Sequence, residues 1–108
     1  MASVKMIRCV VRPEREEQVM EALEGEGLIA FTKMDVFGRG RQKGIQVGAT
    51  RYDDLAKTLF MVVVEDADEA KAIEAFKLGA RTGHPGDGKI FVTEVHEVVT
   101  VRTGEKGL

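Results

Sequence analysis

Lys89 opens the apolar run Ile90-Phe91-Val92 and directly follows Thr82-Gly83-His84-Pro85-Gly86-Asp87-Gly88. A lysine beside glycines that leave backbone N–H groups accessible supplies the ingredients of a phosphate cradle. Three glycines and a proline between Arg81 and Gly88 cannot continue a helix or a strand ladder, so the segment is a shaped loop. Gly86 and Gly88 bracket Asp87 and let the main chain approach a ligand closely. The same composition also describes an ordinary helix-to-strand turn, and the loop alone does not separate the two. A second stretch, Gly38-Arg39-Gly40-Arg41-Gln42-Lys43-Gly44, is glycine-rich and basic. It misses the dinucleotide fingerprint, which needs its third glycine one residue earlier and a helix directly after, and no P-loop is present. His84, His96 and Cys9 lack the spacing of metal ligands. Ser3 is terminal and Cys9 falls within a strand pattern, so neither has the setting of a nucleophile.

The elements that must position these residues belong to one domain of 108 residues, long enough to bury a core. An apolar fraction of 44% and a charged fraction of 31% are those of a soluble globular chain. The longest apolar run, Leu59 to Val64, has the length of a buried strand, and no membrane insertion is expected. Lys5, Arg8 and Arg12 interrupt the N-terminal apolar residues, so no secretory signal is expected. A single cysteine, Cys9, excludes an intramolecular disulfide and fits a cytoplasmic location. A net charge of −2 argues against nucleic acid as a partner, but the charge is segregated. Six Glu and one Arg lie between Glu14 and Glu26, whereas Arg39, Arg41, Lys43, Arg51 and Lys57 face only Asp53 and Asp54 between Gly38 and Thr58. Positive charge concentrated in a loop suits a small anion.

Residues 4–11 alternate and are rich in β-branched side chains, which predicts a strand. Pro13 with Glu14, Glu16 and Glu17 predicts a helix start, Val19, Met20 and Leu23 form its apolar stripe, and Gly25 and Gly27 end it. Residues 28–36 predict a second strand, followed by a loop to about residue 54, longer than compact domains usually leave without a role. Residues 57–65 form the clearest strand, and Asp66 with Glu69 reads as a capping box. Ala70, Ile73, Phe76 and Ala80 then give a helical core face. Residues 90–95, with 98–101 as a possible extension, predict the last strand. The order βαββαβ predicts an α+β ferredoxin-like sandwich, an antiparallel sheet with two helices on one face. The uncovered face, with Val62, Val64, Met6 and Val10 as candidates for burial against another subunit, predicts an oligomer.

Ferredoxin-like domains serve many functions. Resemblance to the acylphosphatase family would require an Asn to position water, and the chain has none. RNA-recognition domains share the element order but place several aromatics on the central strands, where this chain has only Phe60. Three segments together resemble a different group, the PII signal-transduction proteins. Gly38 to Gly44 is similar to the start of the PII T-loop (about 38–54). Thr82-Gly83-His84-Pro85-Gly86-Asp87-Gly88-Lys89-Ile90-Phe91-Val92 resembles the B-loop (about 81–89). Arg102-Thr103-Gly104-Glu105 resembles the C-loop (about 102–108). The resemblance covers nearly the whole chain, 1–108, as a single PII-like domain.

This resemblance implies a trimeric sensor rather than an enzyme. Gly38, Gly40, Arg41, Gly86, Asp87, Gly88, Lys89 and Arg102 would hold ATP or ADP through its phosphates and ribose, with Thr32 and Val63 near the adenine. Gln42 and Lys57 would bind 2-oxoglutarate and its Mg, helped by backbone groups at Lys43 and Gly44, with Mg held through Gln42 and the ATP phosphates. The pattern departs from the family at Thr100, where an arginine is usual, in a T-loop about four residues shorter, and at Thr50, where some members carry a modifiable tyrosine. The short loop and the ending Arg-Thr-Gly-Glu-Lys-Gly are most like PII-like regulators encoded within nitrogenase operons (NifI type), the first of two paired subunits. That resemblance implies a homotrimer or a hetero-oligomer with a paralogous subunit, and dinitrogenase as target. Fixed nitrogen would inhibit the target, and 2-oxoglutarate with ATP would relieve the inhibition. A general PII protein acting on an ammonium transporter or a nitrogen-assimilation enzyme is the alternative.

Overall fold

A four-stranded antiparallel sheet carries two helices on one face, and one end of its other face carries the candidate site. The computed structural model describes residues 3–39, 45–47, 50–52 and 55–108. The elements are β1 (Val4–Val11), α1 (Glu16–Gly25), β2 (Thr32–Gly38), β3 (Ile45–Val47), β4 (Thr50–Tyr52), β5 (Leu55–Glu65), α2 (Glu69–Ala80) and β6 (Lys89–Val95). The sheet order is β2-β5-β1-β6, and β3 and β4 pair separately as a short ribbon. This is the expected ferredoxin-like βαββαβ arrangement, with the ribbon inserted between its second and third strands.

Period-2 patterning in β1 and β5 builds the core. Ile7, Cys9 and Val11 of β1 and Phe60, Val62 and Val64 of β5 are buried toward the helices, while Met6, Arg8, Val10, Leu59, Met61 and Val63 are half-buried on the other face. Val62 and Val64 therefore belong to the core, not to the uncovered face expected of them. Val63 is among the residues that take that place, and Met34 and Phe91 extend the open face outward. Phe60 is the centre of the core, with its ring 5.5 Å from Phe31 and 6.2 Å from Phe76.

The helices meet through small residues. The buried face of α2 is Ala72, Ala75, Phe76, Gly79 and Ala80, whereas Ala70 is exposed and Ile73 half-buried. Phe76 and Ala80 are thus where they were expected, while Ala72, Ala75 and Gly79 take the places expected of Ala70 and Ile73. A Cβ on Gly79 would lie 2.5 Å from Val19 Cα, so α1 and α2 are close enough to exclude even a methyl group there. Arg15 donates from Nε to the Gly79 carbonyl at 2.9 Å, a cation at the end of α2 where the helix dipole favours it.

Five further expectations are corrected. The second strand begins at Thr32 rather than at residue 28, since Leu28 and Phe31 pack on the core and Leu28 N–H closes α1 on Leu23 O at 2.8 Å. The loop expected from 38 to 54 contains β3 and β4, and β5 starts at Leu55 rather than at 57. The Asp66 capping box does not form. Residues Asp66–Asp68 make a 3₁₀ turn without a side-chain cap, and Asp66 and Glu69 turn to Lys5 at 3.4 and 3.8 Å. Residues 98–101 form no strand. Val99 and Lys106 make a single bridge in a hairpin fastened by Gly107 N–H on Val98 O at 2.9 Å.

Burial pushes the Cys9 thiol up to about 12, so almost no reactive thiolate exists near neutral pH. We expect the native protein to resist iodoacetamide at pH 8 and to be alkylated fully only in denaturant. Labelling of the native chain at the denatured rate would contradict its burial.

Candidate functional site

Asp87 shapes the loop between α2 and β6 from within. Its carboxylate accepts hydrogen bonds from Thr82 N–H and Gly83 N–H, each at 2.8 Å, and from the Thr82 hydroxyl. Arg12 Nε adds a charged bond at 3.2 Å, and Arg12 Nη2 donates to the Pro85 carbonyl at 2.6 Å. Burial works against the charged form, but the Thr82, Gly83 and Arg12 donors together outweigh it and hold the carboxyl well below its ordinary range. The loop therefore carries a fixed carboxylate whose charge is already matched.

Gly88 closes the loop against β1. Its φ is +116°, and a Cβ there would stand 1.7 Å from the Val10 carbonyl oxygen. Only glycine lets the main chain pass so near β1 in this conformation. Gly86 also has positive φ, +97°, and its carbonyl accepts a bond from Lys57 Nζ at 3.0 Å. Lys57 lies on the open face of β5, opposite Val36 of β2. Desolvation lowers the pKa of its ammonium, and the positive Arg12 nearby acts in the same direction.

The loop, the end of β2 and the start of β5 enclose a cleft of about 590 Å³. Its walls include Gly38, Arg39, Lys57, His84, Asp87 and Lys89, over apolar Val10, Leu55 and Phe91. Arg39, Lys57 and Lys89 bring three cations to it, and Asp87, spent on its own hydrogen bonds, is the one carboxylate among the described lining residues. A polar loop over an apolar floor of this size suits a small anionic molecule.

Of the residues expected at the site, Gly38, Lys57, Gly86, Asp87, Gly88 and Lys89 meet in this cleft. Thr32 and Val63 lie on the open sheet face, and Arg102 sits in the turn of the 98–107 hairpin; none of the three lines the cleft within one chain. Gly40, Arg41, Gln42, Lys43 and Gly44 lie outside the described residues. Sequence reasoning named Thr82 within the B-loop motif and Arg39 among the basic loop residues without giving either a site role, and it gave Arg12 none. Arg12 and Asp87 are 75 positions apart, and no local pattern pairs them.

The comparisons with known proteins point the same way. The family described as "Nitrogen regulatory protein P-II" matches residues 4–105. "Nitrogen fixation nifHD1 region GlnB-like protein 1" of Methanosarcina barkeri is 52% identical over 105 residues, covering 97% of this chain and 100% of that protein. "Nitrogen fixation nifHD region glnB-like protein 1" of Methanococcus maripaludis is 53% identical with the same coverage. Among solved structures, Arabidopsis thaliana PII bound to citrate superposes with a TM-score of 0.81 at 36% identity, covering 99% of this chain and 88% of that one. With the sheet order, the loop and the full-length matches in agreement, the chain belongs to the nitrogen regulatory P-II protein family.

Proposed function

We propose that the chain is a non-enzymatic nitrogen sensor that binds ATP or ADP and, with Mg, 2-oxoglutarate, and that controls nitrogenase by direct contact. The observation that carries this reading is the cleft itself, where Arg39, Lys57 and Lys89 converge beside a glycine loop whose carboxylate is internally neutralised. A polyphosphate needs several cations and backbone donors, each charge-assisted bond contributing roughly 1.5–3 kcal/mol. Lys89 and the N–H groups of Gly86 to Gly88 would hold phosphates, together with Gly38, Gly40 and Arg41. Lys57 would pair with a carboxylate of 2-oxoglutarate, Gln42, Lys43 and Gly44 would contribute to the same function, and Gln42 with the ATP phosphates would hold Mg.

Thr32, Val63 and Arg102 would complete the site from neighbouring copies. The half-buried apolar face of β5 and β1 supports a PII-like trimer, alone or with a paralogous subunit. The names of the Methanosarcina and Methanococcus relatives place them in nitrogen-fixation gene regions, which supports dinitrogenase as the target.

Calorimetric titration of 2-oxoglutarate with and without Mg-ATP tests the sensor. We expect binding only with Mg-ATP, and we expect Gln42→Ala to lose the 2-oxoglutarate signal while ATP binding stays within about threefold, below the effect of one lost hydrogen bond. Absence of both ligands' binding to the wild type would overturn the proposal.

A further inference from the structure

The middle of the open sheet face is apolar except for one cation. The register sets Thr32, Met61, Arg8 and Phe91 side by side across β2, β5, β1 and β6, and Met6 and Val10 flank Arg8 along its own strand. The Arg8 side chain is half-buried there and makes no hydrogen bond or ion pair among the described residues. It is not among the residues that line the cleft, where the other cations of this face, Lys57 and Lys89, are found. The one carboxylate on the strands of this face is Glu65, opposite Val4 at the far end, about 13 Å along the strands from Arg8.

We propose that Arg8 decides which chain closes over this face: it opposes a second copy of this chain and admits a chain of the same fold that brings a carboxylate to the middle of its own face. The inference rests on the oligomeric part of the reading above and chooses between its two forms. When equal faces close on one another about a symmetry axis, the middle of one meets the middle of the next. Copies of this chain would then set guanidinium against guanidinium, each taken out of water without a counter-charge. The apolar surround raises that cost, because a low dielectric strengthens repulsion as much as attraction. A carboxylate at the same place reverses the sign. The guanidinium fork donates two parallel bonds to it, and the side chains of Met6, Met61 and Phe91 would shield the pair from water. One charged group inside an otherwise apolar contact thus sets partner choice at a cost to indiscriminate association.

Two variants of the full chain test this. Arg8→Met removes the charge and keeps an apolar side chain, while Arg8→Glu supplies the carboxylate on the same fold. In sedimentation equilibrium we expect Arg8→Met to assemble at a concentration lower than the wild type's by about tenfold or more, as one uncompensated charge is withdrawn from the contact. The second measurement is native mass spectrometry of an equimolar mixture of wild type and isotope-labelled Arg8→Glu, unfolded and refolded together. We expect mixed assemblies in excess of random proportion. Self-association of Arg8→Met no tighter than that of the wild type would overturn the inference, by showing that Arg8 stays in water or finds a counter-charge on a second copy. Mixed assemblies in random proportion would overturn it as well, and either result would leave the oligomer standing. If none of the three chains assembled, the oligomeric reading would fail and the inference with it.

Discussion

Gly88→Ala is expected to cost about 3 kcal/mol or more of stability and to abolish ligand binding in the cleft. Two effects add at this position. The backbone has φ +116°, and the new methyl group would meet the Val10 carbonyl oxygen at 1.7 Å. That oxygen belongs to the central strand of the sheet, so the loop must be the part that moves, and Lys89 moves with it. Gly83→Ala provides the comparison, since Gly83 also has positive φ, +90°, but nothing lies within 4 Å of an added Cβ. Gly83→Ala should show only the conformational cost, about 1–2 kcal/mol. Urea denaturation of both variants reads the difference directly, and equal losses would show that the contact with Val10 carries no weight.

Phe60→Ala should be the most damaging truncation in the core, at about 3–5 kcal/mol. Phe60 is fully buried, and its ring meets Phe31 edge-on at 5.5 Å and Phe76 at 6.2 Å. These contacts join the segment after α1, the sheet and α2, and a cavity left there cannot be filled by one neighbour without drawing the others out of place. For a chain of this length the midpoint of thermal unfolding should fall by on the order of 15 °C or more. Calorimetry that found a fall under about 5 °C would mean that the ring cluster does not hold the layers together.

Residues 4–11 show how far local pattern carries. Their alternation gave both the extent of β1 and the identity of its buried face, because a strand with one side against helices must repeat every two residues. The order of elements then led to the sheet. The displaced face of α2 was not legible, since nothing in the local sequence reveals that Gly79 must meet Val19 backbone to backbone. The Asp66 cap failed for a similar reason, as Lys5, distant in sequence, competes for its carboxylate. In the cleft, Gly86, Asp87, Gly88 and Lys89 announced a loop of the right chemistry. Asp87, however, turns back on Thr82 and Gly83, and Arg12, which holds it, carries no signature in its own neighbourhood. Thr32, Val63 and Arg102 illustrate a further limit: a resemblance names residues without placing them, and within the chain these three lie apart from the cleft.

The sheet order β2-β5-β1-β6 also bears on how the protein is made. β1 lies between β5 and β6, its register running from Val4 opposite Glu65 on one side to Val4 opposite Val95 on the other. On the ribosome β1 is made before both of its partners, since β5 and β6 follow it in the sequence. At about 5–20 residues per second, that leaves an apolar strand without a mate for several seconds. The helix hairpin cannot shelter it earlier, because α2 follows β5. Assembly of the sheet therefore waits for β5 and β6, and β1 in the nascent chain is the segment on which a cell's holding chaperones would act.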